Sequence, residues 1–173
     1  MARVDVTVMG AGVFGLSSAY ACARRGARVR VVEWSHPGAG ASGTPVGALS
    51  PHVPEQWNPK KQFQFESLIA SAAFWAEIEA ESGRSTGYGR VGRYQPIAGE
   101  KALARARDRA LEAGTLWQGQ ASWQVIRADE ARGLVPETPS GWLVHDTLSA
   151  RIAPRDACAA LAEAVRAQGG EVS

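Results

Sequence analysis

A glycine-rich turn between an apolar run and a helical stretch constrains this 173-residue chain more than any other feature. Residues 10–15 read Gly-Ala-Gly-Val-Phe-Gly; they follow the run Val4–Met9 and begin a helical pattern that continues to Arg25. The run is typical of a buried parallel strand, because both faces of such a strand are apolar. Gly26 is well suited to end the helix, and a second β-branched run follows at 29–32. We therefore predict a strand–helix–strand unit over residues 4–33.

The three glycines of this G-x-G-x-x-G turn have separate physical tasks. Gly10 makes the tight turn, Gly12 lets a pyrophosphate approach the backbone, and Gly15 lets the helix pack closely on the strand. The first turn of the helix, which includes Val13 and Phe14, offers free N–H groups and the positive end of the helix dipole to phosphates. The turn is therefore predicted to bind a dinucleotide.

An acidic residue ends the second predicted strand. Glu33 lies eighteen residues after Gly15, where its carboxylate can accept hydrogen bonds from a ribose. The same carboxylate would repel a 2′-phosphate, which argues against NADP. The motif alone leaves both NAD and FAD open.

The spacing continues as G-x-G-x-x-G-x3-A-x6-G-x2-V-x3-E, through Ala19, Gly26, Val29 and Glu33. This extended pattern is similar to that of FAD proteins of the glutathione-reductase structural superfamily. Cys22 stands where leucine is commoner, which keeps the position apolar. The resemblance implies FAD as the cofactor.

A second motif occupies residues 40–52, which read Gly-Ala-Ser-Gly-Thr-Pro-Val-Gly-Ala-Leu-Ser-Pro-His. It resembles the segment that follows the ribose-binding acid in the D-amino-acid oxidase (DAO) family, which includes glycine and sarcosine oxidases. The resemblance implies that small residues and backbone amides lie along the pyrophosphate and beside the isoalloxazine, and that Ser42 and Thr44 donate to phosphate oxygens. Together the two motifs assign FAD binding to Gly10, Gly12, Val13, Phe14, Gly15, Glu33, Trp34, Ser42, Gly43, Thr44, Gly47 and Ala48.

His52 is a weak candidate for a catalytic residue, because it resembles a histidine near the flavin in glycine-oxidase sequences. A loop histidine bonded to nearby backbone is an equally reasonable interpretation.

Arg90, Arg93 and Trp57 could contact a carboxylate or an aromatic substrate. Surface or packing roles are the more common ones for such residues.

Composition shifts after Gly83, where strands are predicted at 90–97, 122–127 and 141–145 around a helix that starts at Glu100 and is closed by Gly114. An earlier helix is predicted over Lys61–Ser82, and a last one from Pro154 to the glycines at 169–170, followed by the start of another strand. The middle section resembles the first part of the DAO-family substrate domain, and the segment Arg151–Pro154 resembles its return to the FAD domain.

The predicted fold class is α/β: a Rossmann-like FAD-binding βαβ domain with an inserted antiparallel α+β substrate-domain sheet, truncated. The domain boundaries are a first FAD-binding segment at 1–83, a partial substrate domain at 84–150, and a return to the FAD domain at 151–173. Family members are roughly twice as long. We therefore expect a missing C-terminal half or a complementing chain, and expect the 173 residues alone neither to hold FAD tightly nor to turn over substrate.

Composition limits the kinds of partner that the chain is expected to bind. Nineteen basic and seventeen acidic residues are spread along the chain, so the net charge of +2 gives no support for nucleic-acid or membrane binding. Glycines interrupt the apolar N-terminal stretch, which argues against a signal peptide, and no segment is long and apolar enough for a transmembrane helix. Cys22 and Cys158 lack metal or redox spacing, so we expect reduced core cysteines, no metal, and a cytoplasmic location.

The resemblance implies an FAD-dependent oxidoreductase that oxidises the C–N bond of an amino acid or secondary amine by hydride transfer to flavin. Two alternatives stay open. One is an FAD oxidoreductase domain that modifies a tRNA uridine, because Ala41–Leu49 also resembles the loop of such domains. The other is a non-catalytic FAD-binding fragment.

Overall fold

The computed structural model describes residues 3–173, which divide into two compact units. The first unit contains the chain up to Gly47 together with Ala72–Tyr88 and Arg151–Ser173. The second contains Ala48–Ser71 and Gly89–Ala150. In chain order the elements are β1 (Val6–Met9), α1 (Val13–Ala23), β2 (Val29–Val32), β3 (Gly47–Leu49), α2 (Pro59–Ser82), β4 (Arg93–Pro96), α3 (Glu100–Leu116), β5 (Trp123–Arg127), β6 (Trp142–Asp146), β7 (Ala150–Ile152), α4 (Pro154–Ala167) and β8 (Glu171–Val172).

The first unit contains a parallel sheet in the order β1-β2-β8. Val6 pairs with Val29 and Val8 with Val31, while Arg30 pairs with Glu171 on the other side of β2. Since α1 connects β1 to β2, the predicted strand–helix–strand unit is confirmed. The strand predicted to begin at Glu171 is confirmed too.

Helices α1 and α4 pack against each other in the first unit. Pro154 occupies the first turn of α4, as predicted, because its missing N–H would have no partner there. Small side chains let the two helix backbones approach closely. The buried residues of the two helices are Leu16, Ala19, Tyr20 and Ala23 on α1 and Ala157, Cys158, Ala160, Leu161, Ala162, Ala164 and Val165 on α4.

The second unit contains an antiparallel sheet in the order β4-β6-β5. Its core is rich in aromatic rings: Phe65 stacks on Trp117 at 6.3 Å between ring centroids, and Trp117 meets Trp123 edge-on at 6.1 Å. Trp117 is fully buried at the end of α3, and Val144 contributes from β6. The predicted antiparallel sheet with a covering helix is therefore confirmed.

The structure corrects several predicted element boundaries. Helix α3 does not end before Gly114 but continues to Leu116. A helical glycine costs about 1 kcal/mol relative to alanine, and burying the Trp117 side chain that follows outweighs this cost. Helix α2 begins at Pro59 rather than Lys61, because the Asn58 side-chain oxygen accepts from the Lys61 amide at 3.2 Å.

Two short strands were not predicted. The segment that carries the second motif contains a one-turn 3-10 helix at Ala41–Gly43 and the strand β3, neither of which was predicted from the sequence. Strand β3 pairs with β7, another strand missing from the sequence-based prediction. Each has only three residues, which is too short for a period-two pattern to stand out.

The two cysteines are unpaired. Cys158 is buried as expected, whereas Cys22 is only half-buried and is not a core residue. Within residues 3–173, no helix combines the length and the apolar character needed to cross a membrane.

Candidate cofactor site

The glycine turn that follows β1 is fixed to the end of β2. Gly10 has φ +96°, a conformation that glycine adopts without a steric penalty. Its amide donates to the Val32 carbonyl at 2.8 Å, which joins the turn to the neighbouring strand. A Cβ added at Gly10 would meet nothing within 4 Å, so the turn borders open space.

The start of α1 is bonded by a side chain from a distant segment. Gly12, the residue before the helix, provides no side-chain cap. The Val13 amide donates instead to Ser42 Oγ at 3.1 Å, and Ser42 Oγ would lie 3.3 Å from a Cβ at Gly12. The first-turn amides of a helix lack acceptors within the helix and lie at the positive end of its dipole. The structure therefore places a hydroxyl group beside an end of α1 that favours anions.

The carboxylate of Glu33 is held beside the same turn. Its Oε2 accepts from the Ala11 amide at 2.7 Å, and its Oε1 accepts from the Ser35 amide at 3.2 Å. These two backbone bonds, with Ala11 contributing most, lower the pKa of Glu33 below its ordinary value. Glu33 is thus ionised at neutral pH. A carboxylate has about four acceptor positions, so Glu33 can accept further bonds from hydroxyl groups of a ligand.

Large apolar side chains around the turn are open to solvent. Met9 is 76% exposed, Phe14 88% and Trp34 fully. A cleft of about 470 Å³ beside them is lined by Met9, Gly10, Val32, Glu33 and Trp34. Exposed apolar groups next to polar ones often mark a ligand site, and a free indole can stack on a planar ring.

The segment that carries Ser42 packs tightly in the first unit. The Gly38 amide donates to the Ala11 carbonyl at 2.8 Å. A Cβ at Gly43 would lie 2.8 Å from the Gly38 carbonyl oxygen. At Gly47, a Cβ would lie 3.0 Å from both the Ile152 and the Pro154 side chains, so only glycine fits without displacing neighbours.

Two residues of α4 that contact this segment escaped the sequence-based prediction. Arg155 Nε donates to the Gly43 carbonyl. Cys158 lies against Gly38, where an added Cβ would be 3.2 Å from the Cys158 Cβ, and burial raises the pKa of the Cys158 thiol. Arg155 and Cys158 are three residues apart and so share one helix face. The sequence shows that these two residues lie on one face of the helix that begins at Pro154. It does not show that this face contacts the segment that carries Ser42.

The surroundings of three other predicted site residues do not test the roles predicted for them. Thr44 is exposed and extended. Ala48 and His52 belong to the second unit, where the His52 amide donates to Gln64 Oε1 at 2.6 Å. The cofactor role of Thr44 and Ala48 and the catalytic role of His52 stay predictions.

The remaining substrate-contact candidates make bonds inside the second unit. Arg90 donates to the carbonyls of Thr147 and Gln120, at 2.8 and 2.6 Å. Arg93 Nε donates to Asp146 Oδ2 at 3.3 Å and its Nη1 to Ser50 Oγ at 3.1 Å.

Trp57 is bonded in the same way, since its Nε1 donates to Gln62 Oε1 at 2.8 Å. These contacts of Arg90, Arg93 and Trp57 are structural in character. In the described part of the chain, no group of three or more His, Cys, Asp or Glu side chains is arranged to hold a metal ion.

Comparison with known proteins identifies the family. The family model described as "FAD dependent oxidoreductase", DAO, matches residues 5–173. The chain belongs to this family. FAD is accordingly its cofactor.

Several relatives cover most of this chain. The uncharacterised oxidoreductase YurR of Bacillus subtilis is 27% identical over 170 residues, which are 95% of this chain and 45% of that protein. The bifunctional protein MnmC of Magnetococcus marinus, which acts in tRNA 5-methylaminomethyl-2-thiouridine biosynthesis, is 29% identical over 158 residues, or 91% of this chain and 23% of that protein. Glycine oxidase from Geobacillus kaustophilus shares the fold with a TM-score of 0.77 and 22% identity, over 99% of this chain and 46% of that structure. The chain thus spans less than half the length of these proteins.

The residues of the first unit fit FAD on structural grounds. Gly10 leaves open space beside the turn, and the first turn of α1, whose amides lack acceptors within the helix, begins three residues later at Val13. An ionised Glu33 and an exposed Trp34 lie at the adjacent end of β2. These groups provide donors for a pyrophosphate, an acceptor for ribose hydroxyls and an aromatic face for an adenine ring.

Proposed function

We propose that this protein is an FAD-dependent oxidoreductase that oxidises the C–N bond of an amino acid or a secondary amine. The proposal rests on one arrangement: Ser42 Oγ bonds the Val13 amide at the start of α1, in a chain that belongs to the FAD-dependent oxidoreductase family. That bond brings the second motif onto the first, as FAD binding requires. The likeness to glycine oxidase supports an amino acid or small amine as the substrate class.

When bound, FAD accepts a hydride from the carbon next to the substrate nitrogen. The chain's own residues bind and orient it. Amides of the α1 first turn and the Ser42 hydroxyl hold the pyrophosphate, and the ionised Glu33 accepts hydrogen bonds from the adenosine ribose. Trp34 offers its exposed ring to the adenine. Because Glu33 is negatively charged, the site discriminates against a 2′-phosphate.

We propose that the second unit is the first part of a substrate domain. Its antiparallel sheet lies in the section of the sequence that resembles the first part of the DAO-family substrate domain. His52 is bonded through its backbone amide to Gln64, which leaves the imidazole available to shape the cavity or to bond a substrate group. Amine oxidation by flavin has no obligatory protein base, so His52→Ala should change KM more than kcat.

Anaerobic reduction of the flavin tests the proposal directly. The chain, together with the C-terminal half or complementing chain expected from the sequence, is loaded with FAD, and glycine, sarcosine, D-alanine and D-proline are added in turn while the flavin absorbance is followed. We expect at least one amine to bleach the oxidised flavin band, and peroxide to form when oxygen is readmitted if the protein is an oxidase. Failure of every amine to reduce the bound flavin would contradict the proposed substrate class while leaving FAD binding intact.

A second candidate is oxidation of a modified tRNA uridine. The likeness to MnmC over 91% of this chain favours it. A net charge of +2 weighs against it, because phosphate contacts require a basic face. Flavin reduction by undermodified tRNA, but not by free amino acids, would favour this candidate.

We also propose that the protein is cytoplasmic and acts on a small-molecule substrate. Both cysteines are unpaired, which is usual in a reducing compartment. Fractionation of cells that express the protein, with an antibody readout, tests the location.

A further inference from the structure

An arginine outside both sequence motifs lies beside the cofactor site. Arg155 is exposed in the first turn of α4, and its Nε donates to the carbonyl of Gly43. The preceding residue, Ser42, bonds the Val13 amide at the start of α1. The residue that Arg155 bonds and the residue that bonds the α1 amide are therefore consecutive in the 3-10 segment.

The charge of Arg155 forms no ion pair in the part of the chain that the structure describes. Among residues 3–173, no carboxylate forms an ion pair with its guanidinium. Its bond to Gly43 uses one of five N–H groups, so four donors remain. A guanidinium with four free donors is suited to bind phosphate oxygens in pairs.

The surrounding electrostatics favour an anion beside the 3-10 segment. Arg155 lies in the first turn of α4, where the helix dipole disfavours a cation, and Asp156 in the same turn offsets part of that dipole. The first turn of α1, which Ser42 bonds, is a second positive helix end. The N-terminus of α1, which has no acidic residue in its first turn, and a guanidinium without an ion pair thus both lie beside the 3-10 segment, and a ligand with two negative phosphates would interact favourably with both.

We propose that Arg155 binds the pyrophosphate of FAD through the guanidinium N–H groups that remain free. This inference rests on the proposed function, since it assumes that the glycine turn binds a dinucleotide. It adds the one full positive charge that the two motifs lack, because the turn and Ser42 supply only neutral donors. Charge-assisted hydrogen bonds are roughly twice as strong as neutral ones.

A competing explanation is that Arg155 only holds the 3-10 segment in place through the Gly43 carbonyl. Arg151 provides a matched control for it. Arg151 is also exposed in the first unit and donates from Nη1 to a backbone carbonyl, that of Gly87, at 3.1 Å. Arg151→Gln removes an equivalent bond from a guanidinium to a backbone carbonyl, and its partner Gly87 lies outside both sequence motifs.

The experiment compares ADP with adenosine as ligands of the wild-type protein and of Arg155→Gln, Arg155→Lys and Arg151→Gln, by calorimetry and by displacement of FAD fluorescence. We expect Arg155→Gln to weaken ADP and FAD binding by about tenfold or more, and to leave adenosine binding nearly unchanged. Arg155→Lys should retain part of the ADP affinity. The salt dependence of ADP binding should become shallower in Arg155→Gln, because fewer charges are neutralised. Arg151→Gln should resemble wild type.

The outcomes separate this inference from the proposed function. If wild type binds ADP and Arg155→Gln weakens ADP and adenosine equally, Arg155 only orders the segment and the inference is overturned. Unchanged ADP affinity in Arg155→Gln also overturns it while leaving the FAD site intact. If the wild-type protein binds neither ADP nor FAD at millimolar concentration, the proposed cofactor site itself is wrong, and Arg155 loses its ligand with it.

Discussion

Gly15 packs directly against the backbone carbonyl of Gly10, so closely that a Cβ on Gly15 would lie 2.1 Å from that oxygen. The oxygen belongs to a turn that the Gly10 amide joins to β2, so it cannot move aside as a flexible side chain could. The third glycine of the motif is therefore required by the contact between turn and helix, independently of any ligand.

Gly15→Ala should lower the free energy of unfolding by about 3 kcal/mol or more, because the overlap forces the backbone apart. Urea unfolding followed by circular dichroism measures this. Gly114→Ala is the matched control, since Gly114 lies inside α3 and a Cβ there meets nothing within 4 Å. It should raise the free energy of unfolding by about 0.5–1 kcal/mol through helix propensity. Equal effects of the two changes would refute the packing argument.

Removing the bond between Val13 and Ser42 should also lower the free energy of unfolding. Ser42→Ala removes the acceptor of an amide in the first turn of α1, so unfolding should become easier by about 1 kcal/mol, as for a lost helix cap. Ser67→Ala is the comparison, because the Ser67 hydroxyl bonds only a carbonyl within α2 and is exposed. That change should stay within about 0.5 kcal/mol of wild type. Thermal unfolding of both variants distinguishes a specific cap from a general effect of losing a hydroxyl.

How much the sequence reveals depends on how far apart the interacting residues are along the chain. The strand–helix–strand unit was predicted correctly because its signals, Gly10, Gly26 and Glu33, are local and regularly spaced. The contact of Ser42 with Val13 spans 29 residues, and its atoms could not be assigned from spacing. The bond of Arg155 to Gly43 spans 112 residues and follows no motif, so it was missed.

Errors in the predicted elements have a related cause. Gly114 was read as a helix stop because glycine is a poor helix former, but the buried Trp117 that follows keeps the chain helical. Strands β3 and β7 stabilise each other by pairing, which neither three-residue segment indicates alone. Tertiary contacts determine where α3 ends and that β3 and β7 form, and a local sequence pattern carries no information about such contacts.

Replacing Asp146 should strongly lower the free energy of unfolding, because this carboxylate is buried in the second unit. Its side chain is fully buried, accepts from the Ser149 amide at 2.7 Å and hydroxyl at 3.0 Å, and pairs with Arg93. Asp146→Ala leaves these donors without their acceptor, so the free energy of unfolding should fall by about 3 kcal/mol. Asp108→Ala, on the exposed side of α3, should change it by less than about 0.5 kcal/mol. A loss below about 1 kcal/mol for Asp146→Ala, read from urea unfolding, would show that water replaces the carboxylate.

Glu55 joins the loop before α2 to helix α3. Both its oxygens accept from Arg105, at 2.8 and 3.1 Å, and from Arg109, at 2.8 and 2.9 Å. Lys61 Nζ donates to the Glu55 carbonyl at 2.5 Å and so holds the backbone of the same residue. The bonds from Arg109 and then Arg105 lower the pKa of Glu55 to about 2. The loop that carries His52 is therefore linked to α3 by a carboxylate that stays ionised down to strongly acidic pH.

This pKa predicts how stability depends on pH. The pKa of Glu55 is lower in the folded than in the unfolded protein, so its contribution is complete above about pH 4.5 and is lost as the pH falls toward about 2. Glu55→Gln should lower the free energy of unfolding by about 2 kcal/mol at pH 7, and its difference from wild type should shrink steadily below pH 4.5. Glu112→Gln, exposed on α3, should show no such convergence. Hydrogen exchange at pH 7 should increase over residues 50–58 in Glu55→Gln alone, because only that change releases the loop from α3. A difference between Glu55→Gln and wild type that stays constant from pH 7 to pH 2 would mean that the charge of Glu55 does not carry the link.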